Sequence, residues 1–311
     1  MPETKKKILI IDNSLYLTGA LKSILTVTRE LSDQFEFQYC IPAASKAGAY
    51  ITQQNHKVHR IDFMELSKSL RSFFYPFRLH SNSKHILNIF NKEGIDIIHV
   101  NDIYNQTGCY IKKHHPSIRL VHHVRLLKQS YIKLLYPFFA KQVKKYADAI
   151  ICVSEAVKAD IGAPLHATVI YDAMDLTEEL PPWQGLQDPG KTCFIYLANY
   201  INGNGQQYAI EAFALLQQKH PGTRLRFVGG TNGKAGETFK TQLEQLAVEK
   251  GVRQHIIFSD RSTNVEASLK EADVALMFAE SESFSMVSLE AMLNGVPLIA
   301  TNCGGPAEIT E

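Results

Sequence analysis

The chain has 311 residues, 45% of them apolar, and a formal net charge of +2. That is length enough for two domains and apolar content enough for a sizeable core, which excludes a disordered chain. The near-neutral charge excludes a dedicated nucleic-acid binder, and the five cysteines form no C-x-x-C pair, so neither a zinc site nor a disulfide framework is expected. Lys5-Lys6-Lys7 precedes an apolar run, Ile8–Ile11, too short for a signal-peptide core, and no run approaches membrane-spanning length. A soluble or peripheral protein of the reducing cytosol is expected.

In chain order, Ile8–Ile11 predicts a first buried strand, Asp12–Gly19 a loop and Ala20–Leu31 a helix. Strands follow at Phe35–Ile41, Val58–Asp62, Ile95–Val100, Leu120–Val124 and Ala149–Val153, with helices at Lys84–Lys92 and Tyr131–Tyr146. Strand alternating with helix predicts a doubly wound parallel α/β sheet over residues 1–175. Residues 176–190 are rich in Pro, Gly and acids and read as a linker. The alternation restarts over residues 191–311. It gives strand Cys193–Ala198, helix Tyr208–Gln218, strand Arg224–Gly229, helix Lys240–Lys250, strand Ile256–Phe258 and helix Asn264–Glu271.

The last forty residues carry the densest signal. Ala272–Phe278 predicts a buried strand, Glu280–Ser285 a polar turn and Met286–Leu293 a helix stopped by Gly295. A strand at Val296–Ala300 and a turn at Gly304-Gly305-Pro306 close the segment. Glu282 and Glu290 have seven residues between them, which places one carboxylate in the loop at the positive end of the helix and the other inside it. Backbone N–H groups of Ser285, Met286 and Val287 suit a phosphate there. Two solvated glutamates on an exposed helix are the plainer alternative.

The run Glu282, Phe284, Glu290, Ala291, Gly295, Pro297, Gly304, Gly305 and Glu308 resembles the donor-sugar motif of the retaining family-4 glycosyltransferases of GT-B fold. The resemblance spans nearly the whole chain, strongly in the second half and loosely in the first. It implies two Rossmann-like domains facing a cleft, with Glu282 beside the donor sugar and Glu290 on the nucleotide ribose. Chains of this family normally continue past the Gly-Gly-x-x-Glu segment, so the C-terminal domain is expected to be incomplete.

Several positions depart from the family pattern. Where the family carries an Arg and then Lys-Gly reaching the donor diphosphate, this chain has Asn199 and Asn204-Gly205, which bring hydrogen bonds but no charge. The first loop, usually Gly-Gly, reads Thr18-Gly19, and the usual Asn-Gly-x-Asp reads Asp172-Ala173-Met174-Asp175, two acids expected to act as turn or capping residues. The family's donor-contacting histidine falls near Leu120–Arg125, where His123 or Arg125 fills the role. Ser154 matches a family serine at a helix N-cap.

No D-x-D motif occurs, so metal independence is expected, with no cofactor beyond a UDP- or GDP-sugar donor substrate. From Ile103 to Ala147 there are nine Lys or Arg and no acid, interleaved with Tyr131, Tyr136, Phe138, Phe139 and Tyr146. Ser67–His85 adds Lys68, Arg71, Arg78 and Lys84 around Phe73–Phe77. Such stretches suit an anionic membrane face or a lipid-linked acceptor, or else a solvated basic face over an aromatic core. The resemblance implies a metal-independent hexosyltransferase acting with retention on a glycan or lipid-linked acceptor in surface polysaccharide biosynthesis, on the inner face of the membrane. The acceptor attacks from the face the leaving group departs, and the leaving phosphate oxygen helps take its proton. The alternative is a weak or inactive GT-B subunit that binds sugar or a partner protein; an epimerase or phosphorylase lacks its signature here.

Overall fold

A computed structural model describes residues 5–63, 74–131, 134–162, 166–174, 191–231, 233–262 and 264–310. The predicted linker at 176–190, Asp175, Lys68, Arg71 and Phe73 lie outside the described residues. The chain divides into two compact units, Met1–Asp175 and Leu176–Glu311.

The first unit runs β1 (Lys6–Ile11), α1 (Gly19–Glu30), β2 (Phe35–Pro42), α2 (Gly48–Gln53), β3 (Lys57–Ile61), α3 (Tyr75–Glu93), β4 (Ile97–Asn101), α4 (Thr107–His114), β5 (Arg119–Val124), α5 (Tyr136–Tyr146), β6 (Ala149–Cys152), α6 (Glu155–Ile161) and β7 (Ala167–Val169). Its seven strands are all parallel, in the order β3-β2-β1-β4-β5-β6-β7. Burial on both faces is why these strands read as continuous apolar runs. Ile10, Tyr39 and Ile41 pack against Leu21, Ile24 and Leu25 of α1 and Ile51 of α2, each such side chain contributing about 2 kcal/mol.

The second unit runs β8 (Cys193–Leu197), α7 (Gln206–Gln217), β9 (Arg224–Val228), α8 (Gly233–Glu249), β10 (Ile256–Ser259), α9 (Val265–Lys270), β11 (Val274–Met277), α10 (Met286–Leu293), β12 (Leu298–Ala300) and α11 (Gly305–Thr310). Its five-stranded parallel sheet has the order β10-β9-β8-β11-β12. The pleat of β8 feeds two cores. Tyr196 joins Phe213 and Phe227 on one face, while Ile195 and Leu197 join Ala275, Ala291 and Val296 on the other.

The main differences from the predicted elements are at helix starts. The first of these, α3, begins at Tyr75 rather than Lys84, because Pro76 suits a first helical turn. Likewise α8 begins at Gly233 rather than Lys240, and α5 at Tyr136 rather than Tyr131. The short α2, α4, α6 and β7 were not predicted. Gly295 has the positive φ (67°) expected of the residue after α10.

Candidate functional site

In both sheets the chain reverses direction of growth at one point: between β1 and β4 in the first unit, and between β8 and β11 in the second. Loops part there at the carboxyl ends of the strands, leaving a crevice suited to ligands. In the second unit that crevice is an open cavity. Tyr196 and Leu197 of β8 and Ala198 just after it line the cavity, with Met277 of β11 and Ala279 beyond it, Asn204 from the loop before α7, and Glu282 with Ser285–Val287 at the start of α10.

Glu282 is held by its own loop. Its backbone N–H donates to the Cys303 carbonyl (3.1 Å), and its carbonyl accepts from Gly305 N–H (2.9 Å). Gly305 is required there, since a Cβ would stand 2.3 Å from Phe284 Cα. The Glu282 carboxylate accepts from the Ser283 N–H at 3.0 Å. Burial pushes its pKa above the ordinary glutamate value, against the opposing pull of the Ser283, Phe284 and Ser285 N–H groups. Ser285 caps α10 from a left-handed conformation (φ 77°), a strained geometry for a residue with a side chain. Its Oγ meets Ser288 N (3.3 Å) and Ser288 Oγ (2.7 Å). Glu290 lies one turn further along α10, half-buried, and does not itself line the cavity.

Opposite α10 stands the β8–α7 loop. The Tyr196 hydroxyl donates to the Asn204 carbonyl (2.5 Å) and accepts from Phe278 N–H (2.6 Å), tying the loop to the end of β11. Gly205 has φ 76°, and a Cβ there would lie 1.8 Å from the Phe278 carbonyl oxygen, so only glycine fits. It opens α7 without any side-chain cap, leaving N–H groups at that helix end. Asn204 Nδ2 and Gln206 Nε2 both donate to the Asn199 carbonyl at 2.9 Å. Two helix N-termini thus flank a cavity with a carboxylate on one wall, and no Lys or Arg lines it.

In the first unit, β1, β4 and β5 end in a buried polar network. Asn101 Nδ2 donates to Asp12 Oδ2 (2.5 Å), and Arg125 Nε donates to Asn101 Oδ1 (2.8 Å). Arg125 also pairs with Asp172, which accepts from Ser23 Oγ (2.6 Å). Asp172 is therefore the counter-ion of a buried arginine, not the turn or capping residue expected; a contact across 47 residues leaves no local signal. Arg125 Nη2 and both ring nitrogens of His123 are buried without a hydrogen-bond partner among the described residues. Burial, then the Arg125 charge, drives the His123 pKa well below the ordinary value, so the ring is neutral at pH 7. Gly19 begins α1, behind a Thr18 cap whose Oγ1 accepts from Leu21 N–H (3.2 Å). Ser154 caps α6 in the same way, its Oγ accepting from Val157 N–H (3.1 Å).

Asp102, just after β4, has φ 136° and accepts from the Tyr131 hydroxyl and the Ile103 N–H, both at 2.6 Å. Burial raises its pKa from 3.8 to about 6, with the Tyr131 hydrogen bond opposing. A carboxyl whose folded pKa is raised favours folding below its unfolded pKa, and that contribution fades as pH rises through about 6. The difference amounts to about 2–3 kcal/mol. Asp102→Asn keeps an acceptor oxygen for both donors. It is expected to flatten the dependence of the unfolding midpoint on pH across this window and to raise stability at neutral pH. An unchanged pH profile in the variant would contradict the assignment.

The basic stretch of the first unit is partly neutralised. Lys112 pairs with Asp148 and Lys128 with Asp160, beyond the acid-free window, while Tyr131, Tyr136 and Phe139 are buried. Phe74, Phe77, Leu134 and Phe138 are exposed, as are Lys141, Lys144 and Lys145. No helix among the described residues is long and apolar enough to cross a membrane.

Comparison with known proteins decides the family. The family model described as Glycosyltransferase Family 4 matches residues 17–178, and that described as Glycosyl transferases group 1 matches residues 179–311. The chain belongs to glycosyltransferase family 4. It is 25% identical over 303 residues to an uncharacterized glycosyltransferase of Methanocaldococcus jannaschii, covering 94% of this chain and 78% of the relative. It is 26% identical over 183 residues to D-inositol 3-phosphate glycosyltransferase of Corynebacterium kroppenstedtii, covering 53% of this chain and 40% of that one. A third relative, the N-acetyl-alpha-D-glucosaminyl L-malate synthase of Bacillus anthracis, is 31% identical over 142 residues, covering 46% of this chain and 35% of the enzyme. Among solved structures, Anabaena HepE in complex with UDP and glucose superposes with a TM-score of 0.78 at 17% identity, covering 98% of this chain and 83% of that one. Sucrose-phosphate synthase of Thermosynechococcus elongatus gives 0.74 at 16% identity, covering 97% and 82%. These likenesses show the GT-B fold.

In this family-4 chain, then, the second unit brings Glu282, Asn204, Ser285, Met286 and Val287 around one cavity, with Asn199, Gly205 and Glu290 on the elements that frame it. His123, Arg125 and Gly19 belong to the first unit. Sequence reading missed Asp102 and Arg261. Arg261 follows β10, and its Nη2 donates to Asn199 Oδ1 at 2.9 Å. Neither sits in a recognisable motif; only the strained backbone and the tertiary contact mark them.

Proposed function

We propose that the chain is a retaining glycosyltransferase that moves a hexose from a nucleotide-sugar donor to a glycan or lipid-linked acceptor. The observation that carries this reading is the β8/β11 cavity, flanked by two helix N-termini with Glu282 on its wall. Helix N-termini favour a diphosphate, and a buried carboxylate with a raised pKa suits sugar hydroxyls beside it. Glu282 faces the donor sugar, Glu290 accepts from the ribose hydroxyls, and N–H groups of Met286 and Val287 and of Gly205–Gln206 meet the phosphates, the Ser285 N–H being turned to the Glu282 carboxylate. Acceptor chemistry belongs to the first unit, where His123 or Arg125 is the candidate polar group and Gly19 allows close backbone approach. No divalent metal is required in this reading, since the helix termini and hydrogen-bond donors take the leaving diphosphate. The UDP bound in Anabaena HepE favours a uridine donor over a guanosine one.

Exposed Phe74, Phe77, Leu134 and Phe138, with the lysines of α5, support a peripheral position on an anionic inner membrane face. Such a position fits a lipid-linked acceptor and a role in surface polysaccharide synthesis. A second reading, a weak or inactive sugar-binding subunit, is favoured by the absence of Lys or Arg from the cavity lining. Asn204→Lys separates the two: a large gain in turnover marks a weakened enzyme. Incubation with UDP- and GDP-hexoses, reading release of the nucleoside diphosphate with and without simple sugar acceptors, tests the proposal. Release from one donor class by the wild type and not by Glu282→Gln supports it. No release from any donor supports the binding subunit.

A further inference from the structure

The cavity at the β8/β11 crevice has a carboxylate and no lining cation, so a cation on a neighbouring strand end would add to what the helix N-termini offer a diphosphate. Three strand ends supply a route. Arg261 follows β10, and its guanidinium crosses the end of β9 to reach Asn199 at the end of β8. It passes close over Gly230, where a Cβ would stand 3.2 Å from Arg261 Nε and 3.3 Å from Asn199 Oδ1 and would crowd the contact. Beside it, Gly229 lies so close to β8 that a Cβ would fall 1.8 Å from the Ala198 carbonyl oxygen.

The Asn199 amide is oriented by two donors. Arg261 Nη2 at 2.9 Å and Gly230 N–H at 3.2 Å both bond its Oδ1, so its NH₂ group faces away from them with no partner among the described residues. Asn199 is also fixed through its carbonyl by Asn204, which lines the cavity. Arg261 is exposed and makes no ion pair among the described residues, unlike Lys240 beside it, which pairs with Asp260. The charged head is anchored on a neutral amide and keeps its remaining donors.

We propose that Arg261, held by Asn199, is the cation that recognises the diphosphate of the donor. The inference rests on the donor-site reading above. In it, Asn199 is an adaptor that places an arginine from another strand, rather than a damaged phosphate contact.

The test is calorimetric titration of the full chain with UDP, UMP and uridine, and with the guanosine series, for the wild type, Arg261→Ala and Arg261→Lys. Loss of one charge-assisted contact at a solvent-open rim predicts UDP binding about 10-fold weaker in Arg261→Ala, with uridine binding unchanged. Arg261→Lys is expected to retain part of the preference for the diphosphate, and the salt dependence of UDP affinity is expected to flatten in Arg261→Ala. Wild-type preference for UDP over uridine that persists unchanged in Arg261→Ala overturns the role of Arg261 alone. Absence of nucleotide binding by the wild type overturns the donor-site reading and this inference together. Because Arg261 is exposed, equal unfolding midpoints of variant and wild type are expected and keep the comparison clean.

Discussion

Glu282→Gln is expected to lower turnover of the donor at least about 100-fold, the usual loss when a group that stabilises developing charge is removed. Glutamine keeps the size and one acceptor oxygen for the Ser283 N–H, and the backbone bonds of Glu282 to Cys303 and Gly305 are untouched, while the Phe284 and Ser285 N–H groups lose a charged acceptor. A small fall in the unfolding midpoint is expected, so turnover is compared at a temperature where both proteins are folded. Burial raises the Glu282 pKa, so its carboxylate is lost to protonation at a higher pH than for an exposed glutamate. The acidic limb of the rate profile should lie above the ordinary glutamate range in the wild type and vanish in any residual activity of the variant. Turnover within a few-fold of wild type would remove Glu282 from the chemistry.

Asp172→Ala is expected to have the largest effect on stability. Arg125 and Asp172 side chains are 3% and 7% exposed, and Arg125 Nη2 already lacks a partner. Removing the carboxylate leaves a buried guanidinium with only the Asn101 oxygen, an expected cost of about 3–5 kcal/mol. Replacing both members, as Arg125→Met with Asp172→Leu, removes the stranded charge and should recover most of that loss. Chemical denaturation of the single and double variants measures both. A single variant as stable as wild type would mean that the pair contributes nothing in the folded unit.

The two sheets were legible because parallel strands buried on both faces read as short apolar runs, as in Ile8–Ile11 and Ala272–Phe278. The α10 boundaries were legible to the residue, because Ser285 and Gly295 bracket an apolar helix with chemistry that works locally. Helix starts failed where the first turn is polar, as at Gly233, since no period begins there. Glu282 and the start of α10, singled out in the sequence, line the second-unit cavity. Arg261 was not, because Asn199 and Arg261 are 62 residues apart and meet only after β8, β9 and β10 lie side by side. Asp172 was misread for the same reason. Strain at Asp102 and Ser285 is likewise a property of the folded backbone, invisible in residue type.

The central claim is that the second unit holds a nucleoside diphosphate through the cavity before α10. Isothermal titration of the chain with UDP and with GDP, beside Glu290→Ala, tests it most directly. The account predicts saturable binding of one nucleotide, UDP favoured, weakened by at least about 10-fold in the variant through loss of hydrogen bonds between a carboxylate and the ribose hydroxyls. Binding of neither nucleotide, or equal binding by wild type and Glu290→Ala, would contradict it.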